Sequence, residues 1–157
     1  MRKPKIYLET TIFNHYFDAE REAHTATVKL FCEIKAGLYE AYTSAYVLEE
    51  LDKAHEPKKS NMLSLISENG ITIFDDNDET RWLGDVYVNE SVIPAKYRYD
   101  GLHIACATVN GMVYIFSLIF KHINRLKTKT MTSNINIRLG YHPVTILSPL
   151  EVVNNDE

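Results

Sequence analysis

Cysteine is scarce in this chain of 157 residues: there are two, Cys32 and Cys106, far apart and in no paired Cys or Cys/His pattern. That spacing excludes a disulfide framework and a zinc site. Both stand among apolar neighbours and read as reduced core thiols. Glycine is also sparse, and no glycine-rich phosphate loop occurs. Long apolar runs are missing. The longest, residues 112–120, is too short to span a bilayer. The basic start, Met1-Arg2-Lys3-Pro4-Lys5, imitates a signal peptide, but Glu9 interrupts the apolar run after Leu8, so no secretory core follows. These absences point to a cytoplasmic protein without a membrane partner.

What is present is an ordinary globular balance, 45% hydrophobic and 24% charged, at a length suited to one domain. Residues 1–150 read as that domain and 151–157 as an acidic tail. The formal charge of −4 argues against a general basic coat. It conceals an asymmetry, because residues 101–150 contain no acid and five bases, Lys121, Arg125, Lys127, Lys129 and Arg138. An acid-free stretch of this length points to an anionic partner on one side of the molecule.

Apolar patterning predicts strands at residues 5–9, 39–43, 71–74, 113–117 and 144–147. Helices are predicted at 23–36, 45–54, 57–69, 78–90 and 99–110, with one or two more across 120–140. Alternating strands and helices give an α/β protein with a mainly parallel sheet covered on both faces. Sites in such folds form beyond the carboxyl ends of the strands.

Four segments qualify: Glu9-Thr10-Thr11, Glu49-Glu50, Asp75-Asp76 and Asp100. Glu9 follows the buried run Ile6-Tyr7-Leu8. It either caps the next turn with Thr10 and Thr11 or binds a ligand. Glu50 lies at the flank of an apolar helix face, whereas Glu49 points to solvent. Glu50 is either a salt-bridged boundary acid or a ligand. Asp100 opens an apolar helix, as an N-cap or as a ligand. His103, one turn on, either hydrogen-bonds within the core or touches substrate. Asp75, Asp76, Asp78 and Glu79 read as a solvated helix start. Like charges gathered from three segments need a cation. An all-oxygen set suits Mg²⁺ or Mn²⁺, ions that activate water against a phosphodiester. The basic residues Lys121, Arg125, Lys127 and Lys129 would hold the backbone of RNA.

Four segments in order carry a family likeness: Lys5-Ile6-Tyr7-Leu8-Glu9-Thr10-Thr11-Ile12-Phe13-Asn14, Thr43-Ser44-Ala45-Tyr46-Val47-Leu48-Glu49-Glu50-Leu51, Tyr99-Asp100-Gly101-Leu102-His103-Ile104-Ala105, and Tyr114-Ile115-Phe116-Ser117-Leu118-Ile119-Phe120-Lys121-His122-Ile123. Over nearly its whole length the chain resembles the PIN domain, the nuclease fold of many toxin–antitoxin toxins. The resemblance implies a three-layer α/β/α sandwich and metal-dependent RNA hydrolysis. It implies that Glu9, Glu50 and Asp100 hold the ion, that Thr10 and Ser117 orient ligands or phosphate, and that partners are RNA, an antitoxin and a second copy of the chain. Three positions depart from the family pattern: Glu9 stands for Asp, Ile119 for Asp or Asn, and Gly101 for Ala. Glu9 and Ile119 define an alternative, a catalytically impaired RNA- or protein-binding module. A flavodoxin-type receiver or small-molecule domain fits less well, because there is no phosphate loop and the first strand ends in a single acid.

Overall fold

The organising element is β1 (Lys5–Leu8), the central strand of a computed structural model that describes residues 2–152. Ile6, Tyr7 and Leu8 are all fully buried. Successive strand residues face opposite sides, so their joint burial shows that both faces of the sheet are covered. On one side β1 pairs in parallel with β2 (Glu40–Ser44), and β2 with β3 (Thr72–Phe74). On the other it pairs with β4 (Tyr114–Phe116), and β4 with β5 (Thr145–Leu147). The order β3-β2-β1-β4-β5 reverses direction between β1 and β4. That reversal opens a crevice at the carboxyl ends of the two strands.

The helices are α1 (Thr10–Tyr16), α2 (His24–Lys35), α3 (Ala45–Leu51), α4 (Lys58–Glu68), α5 (Asp78–Asn89), α6 (Arg98–Val109), α7 (Leu126–Arg138) and α8 (Pro149–Val152). The α/β/α sandwich expected from the sequence is therefore the observed architecture. Helix α1 was not expected, since the sequence suggested only a turn after Glu9. It spans two turns, too few for a helical repeat to emerge, and is held by burial of Ile12 and Phe13. The segment 120–140 contains one helix, α7, preceded by a turn. Cys32 is a correction: it is exposed on α2, where Leu30, Phe31 and Ile34 fill the core, while Cys106 is buried as expected. The acidic run after β3 is exposed, as expected, with Asn77 capping α5 through the Thr80 amide. Of the acidic tail, residues 153–157 lie outside the described residues.

Helix α6 is buried continuously from Asp100 to Thr108, which leaves it without an amphipathic face. It is held against α5 by a glycine contact. A Cβ on Gly84 would meet Leu102 Cδ2 at 3.0 Å, and Gly101 sits over the Gly84 carbonyl. Tyr87, Thr108 and Asn136 add a buried hydrogen-bonded link among α5, α6 and α7. Replacing Gly84 with Val should push α6 away from α5. The expected cost is about 1–3 kcal/mol in urea unfolding, against little change for Gly84→Ala, whose helix-propensity gain offsets the contact.

Candidate metal centre

Beyond the carboxyl end of β1 the ladder continues by one bond, Glu9 N–H to the Phe116 carbonyl at 3.1 Å. This fixes the Glu9 side chain in the crevice between β1 and β4. Glu9 occupies the N-cap position of α1 but makes no side-chain cap bond. Its carboxylate instead accepts hydrogen bonds at Oε1 from Thr11 Oγ1 at 2.5 Å and Ser117 Oγ at 2.9 Å. Ser117 Oγ is itself held by the Ile119 amide, and Thr11 Oγ1 by the Leu118 amide. The end of β4 is thus stitched to the end of β1 through the acid.

Helix α3 follows β2 directly, with Ser44 as its N-cap. It carries Glu50 to the same edge, half-buried, and leaves Glu49 exposed beside the Tyr99 hydroxyl. Glu50 Oε1 accepts from Thr10 Oγ1 at 2.6 Å and from His103 Nε2 at 2.6 Å. The opposite ring nitrogen of His103 meets the Tyr7 hydroxyl at 2.7 Å, and that hydroxyl meets Ser44 Oγ at 2.7 Å. Tyr7, Ser44 and His103 are completely buried. The chain Ser44–Tyr7–His103–Glu50 therefore runs from the sheet interior to the crevice, with every polar group partnered. The sequence did not separate a core histidine from a site histidine. The structure makes His103 both, since one nitrogen faces the core and the other the acids.

One ligand atom from each of Glu9, Glu50 and His103 lies within 4.8 Å of the others. Asp100 is outside that tight group. It sits in the first turn of α6, whose N-cap is Tyr97, so the cap reading does not apply. The residue is 8% exposed, and burial, Glu50 and His103 are what act on its carboxyl. Burial pushes its pKa up to about 6, the Glu50 charge adds to the rise, and His103 opposes it. Burial likewise raises Glu9, against His103 and the Thr11 and Ser117 hydroxyls. Burial works to raise Glu50 as well, but the His103 hydrogen bond and charge outweigh it and Glu50 is lowered. His103 is raised although burial opposes it, because Glu50, Glu9 and Asp100 all favour the imidazolium. The crevice is an anionic site whose internal counter-charge is one histidine.

The donor set fits a hard divalent cation. Glu9 and Glu50 each use one oxygen within the protein and keep the other. Ile119, at the fourth motif, is half-buried against the core and contributes only its backbone. Lys121, Arg125 and Lys127 are exposed and Lys129 is half-exposed. They lie on the β4–α7 turn and the first turn of α7, and none forms an ion pair among the described residues. Arg138 differs, being paired with Glu90.

No family model and no curated protein matches the sequence. Solved structures do match. One is the Mycobacterium tuberculosis toxin VapC20, described as cleaving the sarcin–ricin loop. It is 12% identical with a TM-score of 0.59, over 78% of this chain and 97% of that one. Another is Rickettsia felis VapBC2, bound to a DNA fragment from its promoter. It is 12% identical with a TM-score of 0.56, over 92% of this chain and 98% of that one. The likeness extends over almost all of both of those chains, and it establishes that the chain folds as a PIN-like α/β/α sandwich.

Proposed function

We propose that the protein is a divalent-metal-dependent endoribonuclease, of the kind used as the toxin of a toxin–antitoxin pair. The observation that carries this reading is the convergence of Glu9, Glu50 and His103 at the crevice between β1 and β4, one ligand atom from each within 4.8 Å of the others, with the Asp100 carboxyl raised by burial and by the Glu50 charge. Carboxylates gathered in this way are costly unless a cation meets them. Glu9, Glu50 and Asp100 would hold Mg²⁺ or Mn²⁺. The ion supplies an activated water and stabilises the charge that develops on a phosphodiester. Ser117 and Thr11 orient Glu9, while Thr10 and His103 orient Glu50. Lys121, Arg125, Lys127 and Lys129 would hold the phosphate backbone of RNA alongside. The toxin and toxin–antitoxin neighbours support both the RNA substrate and a protein antitoxin as partners of this chain. Pairing of two copies, implied by the family resemblance, belongs to the same reading. No helix among the described residues is long and apolar enough to cross a membrane.

The test is incubation of end-labelled single-stranded RNAs with the folded protein in Mn²⁺, Mg²⁺ or EDTA. Internal cleavage is expected in the metals and none in EDTA. Intact RNA throughout would overturn the reading and favour the binding module, for which Ile119 is the supporting observation. Ile119→Asn measures that position directly. A carboxamide there, which restores the family pattern at this position, is expected to raise the cleavage rate roughly tenfold. An unchanged rate would show that the residue has no part in the reaction.

A further inference from the structure

Near the acids, the Tyr97 and His122 rings lie face to face, with centroids 3.9 Å apart and planes 28° from parallel. Tyr97 immediately precedes α6 and is three residues before Asp100. His122 lies on the turn after β4, five residues beyond Ser117, and Asn124 ties that turn back to the Ser117 carbonyl at 3.1 Å. The stack therefore joins the two segments that deliver Asp100 and Ser117 to the crevice. Cations surround it. The Lys96 ammonium is 5.1 Å from the Tyr97 ring centre. His122 is held below its ordinary pKa by partial burial and by Arg125, Lys121 and Lys96, which favours the neutral ring at pH 7. Lys96, Lys121 and Arg125 form no ion pair among the described residues. Tyr97 remains 38% exposed, and Phe120 beside the turn is also exposed.

Aromatic faces interleaved with unpaired cations combine the two contacts that single-stranded nucleic acid offers, base stacking and phosphate charge. A duplex offers only the second, because its bases already stack on one another. From this juxtaposition we infer that Tyr97 and His122 form a stacking platform for an unpaired nucleobase of single-stranded RNA, beside the acids, with Lys96, Lys121 and Arg125 on the flanking phosphates. The inference rests on the ribonuclease reading for its substrate class and adds how that substrate is held.

Fluorescence anisotropy with a short single-stranded RNA, in EDTA to prevent hydrolysis, tests it. An abasic oligonucleotide of the same length separates stacking from charge. The unmodified protein should bind the RNA more tightly than the abasic strand. Tyr97→Ala should weaken RNA binding about tenfold and leave abasic binding nearly unchanged. Tyr97→Phe should restore the RNA preference, and circular dichroism melting should show Tyr97→Ala folded. Equal affinity for the two strands, equal losses on both, or no RNA binding would each overturn the platform. The ribonuclease reading fails separately: loss of cleavage in every metal with the RNA preference intact rejects catalysis and keeps the platform. Cleavage with no stacking preference rejects the platform and keeps catalysis.

Discussion

Asp100→Asn is expected to abolish RNA cleavage and, in the metal-free protein, to raise stability. The two effects have one origin. The Asp100 carboxyl goes from an ordinary value of 3.8 to about 6 on folding, chiefly through burial. The folded state then binds the proton more tightly than the unfolded one. Stability from this group is fully present below 3.8 and is lost as the pH rises through about 6, by ~3 kcal/mol in all. Asparagine cannot ionise, so the variant escapes that loss. Urea unfolding in EDTA should show it more stable by up to ~3 kcal/mol at about pH 8 and little different near pH 4. Added Mn²⁺ should reverse the order, because a cation that binds the carboxylate stabilises the original protein by mass action and the variant much less. Cleavage should fall by more than the roughly 10- to 100-fold typical of groups that merely orient a ligand. A variant that is less stable at every pH, or that still cleaves at the original rate, would remove Asp100 from the centre.

Tyr7→Phe carries the second large effect. The Tyr7 hydroxyl is the one contact joining Ser44 Oγ to His103 Nδ1, each at 2.7 Å and all three fully buried. Phenylalanine fills the same space but leaves both partners short of a hydrogen bond. Unfolding should report a loss of about 1–3 kcal/mol. The consequence also passes outward through His103, whose other nitrogen holds Glu50. With its inner anchor gone the imidazole is free to tilt, and Glu50 loses a fixed position. Cleavage should drop roughly 10- to 100-fold, with apparent Mn²⁺ affinity falling in parallel. A stability loss with unchanged rate and metal affinity would mean that the network serves only the core.

The glycine contact between α5 and α6 acts on the same site by a different route. Gly84 and Gly101 set how closely α6 approaches, and α6 carries both Asp100 and His103. The wedge introduced by Gly84→Val should therefore lower metal affinity as well as stability, whereas Gly84→Ala should preserve both.

Much of the fold was legible from local pattern. Strands β1 and β4 contain the short apolar runs Ile6-Tyr7-Leu8 and Tyr114-Ile115-Phe116, and the α/β alternation dictates a parallel sheet. Helix α1 escaped detection because two turns carry no periodic signal, and Cys32 was misplaced because an apolar neighbourhood in sequence does not say which side of a helix faces the core. At the site, Glu9, Glu50 and Asp100 were recognisable as acids near strand ends or helix starts. The sequence by itself determined the layer architecture, the three candidate acids and the acid-free basic stretch, because these depend on residue type, order and spacing along one chain. Tertiary structure alone decided that Tyr7 meets His103 across 96 residues, that Ser117 holds Glu9 across 108, and that Tyr97 stacks on His122. Contacts at such separations are made by the packing of strands and helices whose partners no local pattern names. Hydrogen bonding and ring stacking act over only a few ångströms, so they exist only once the fold has brought the groups together.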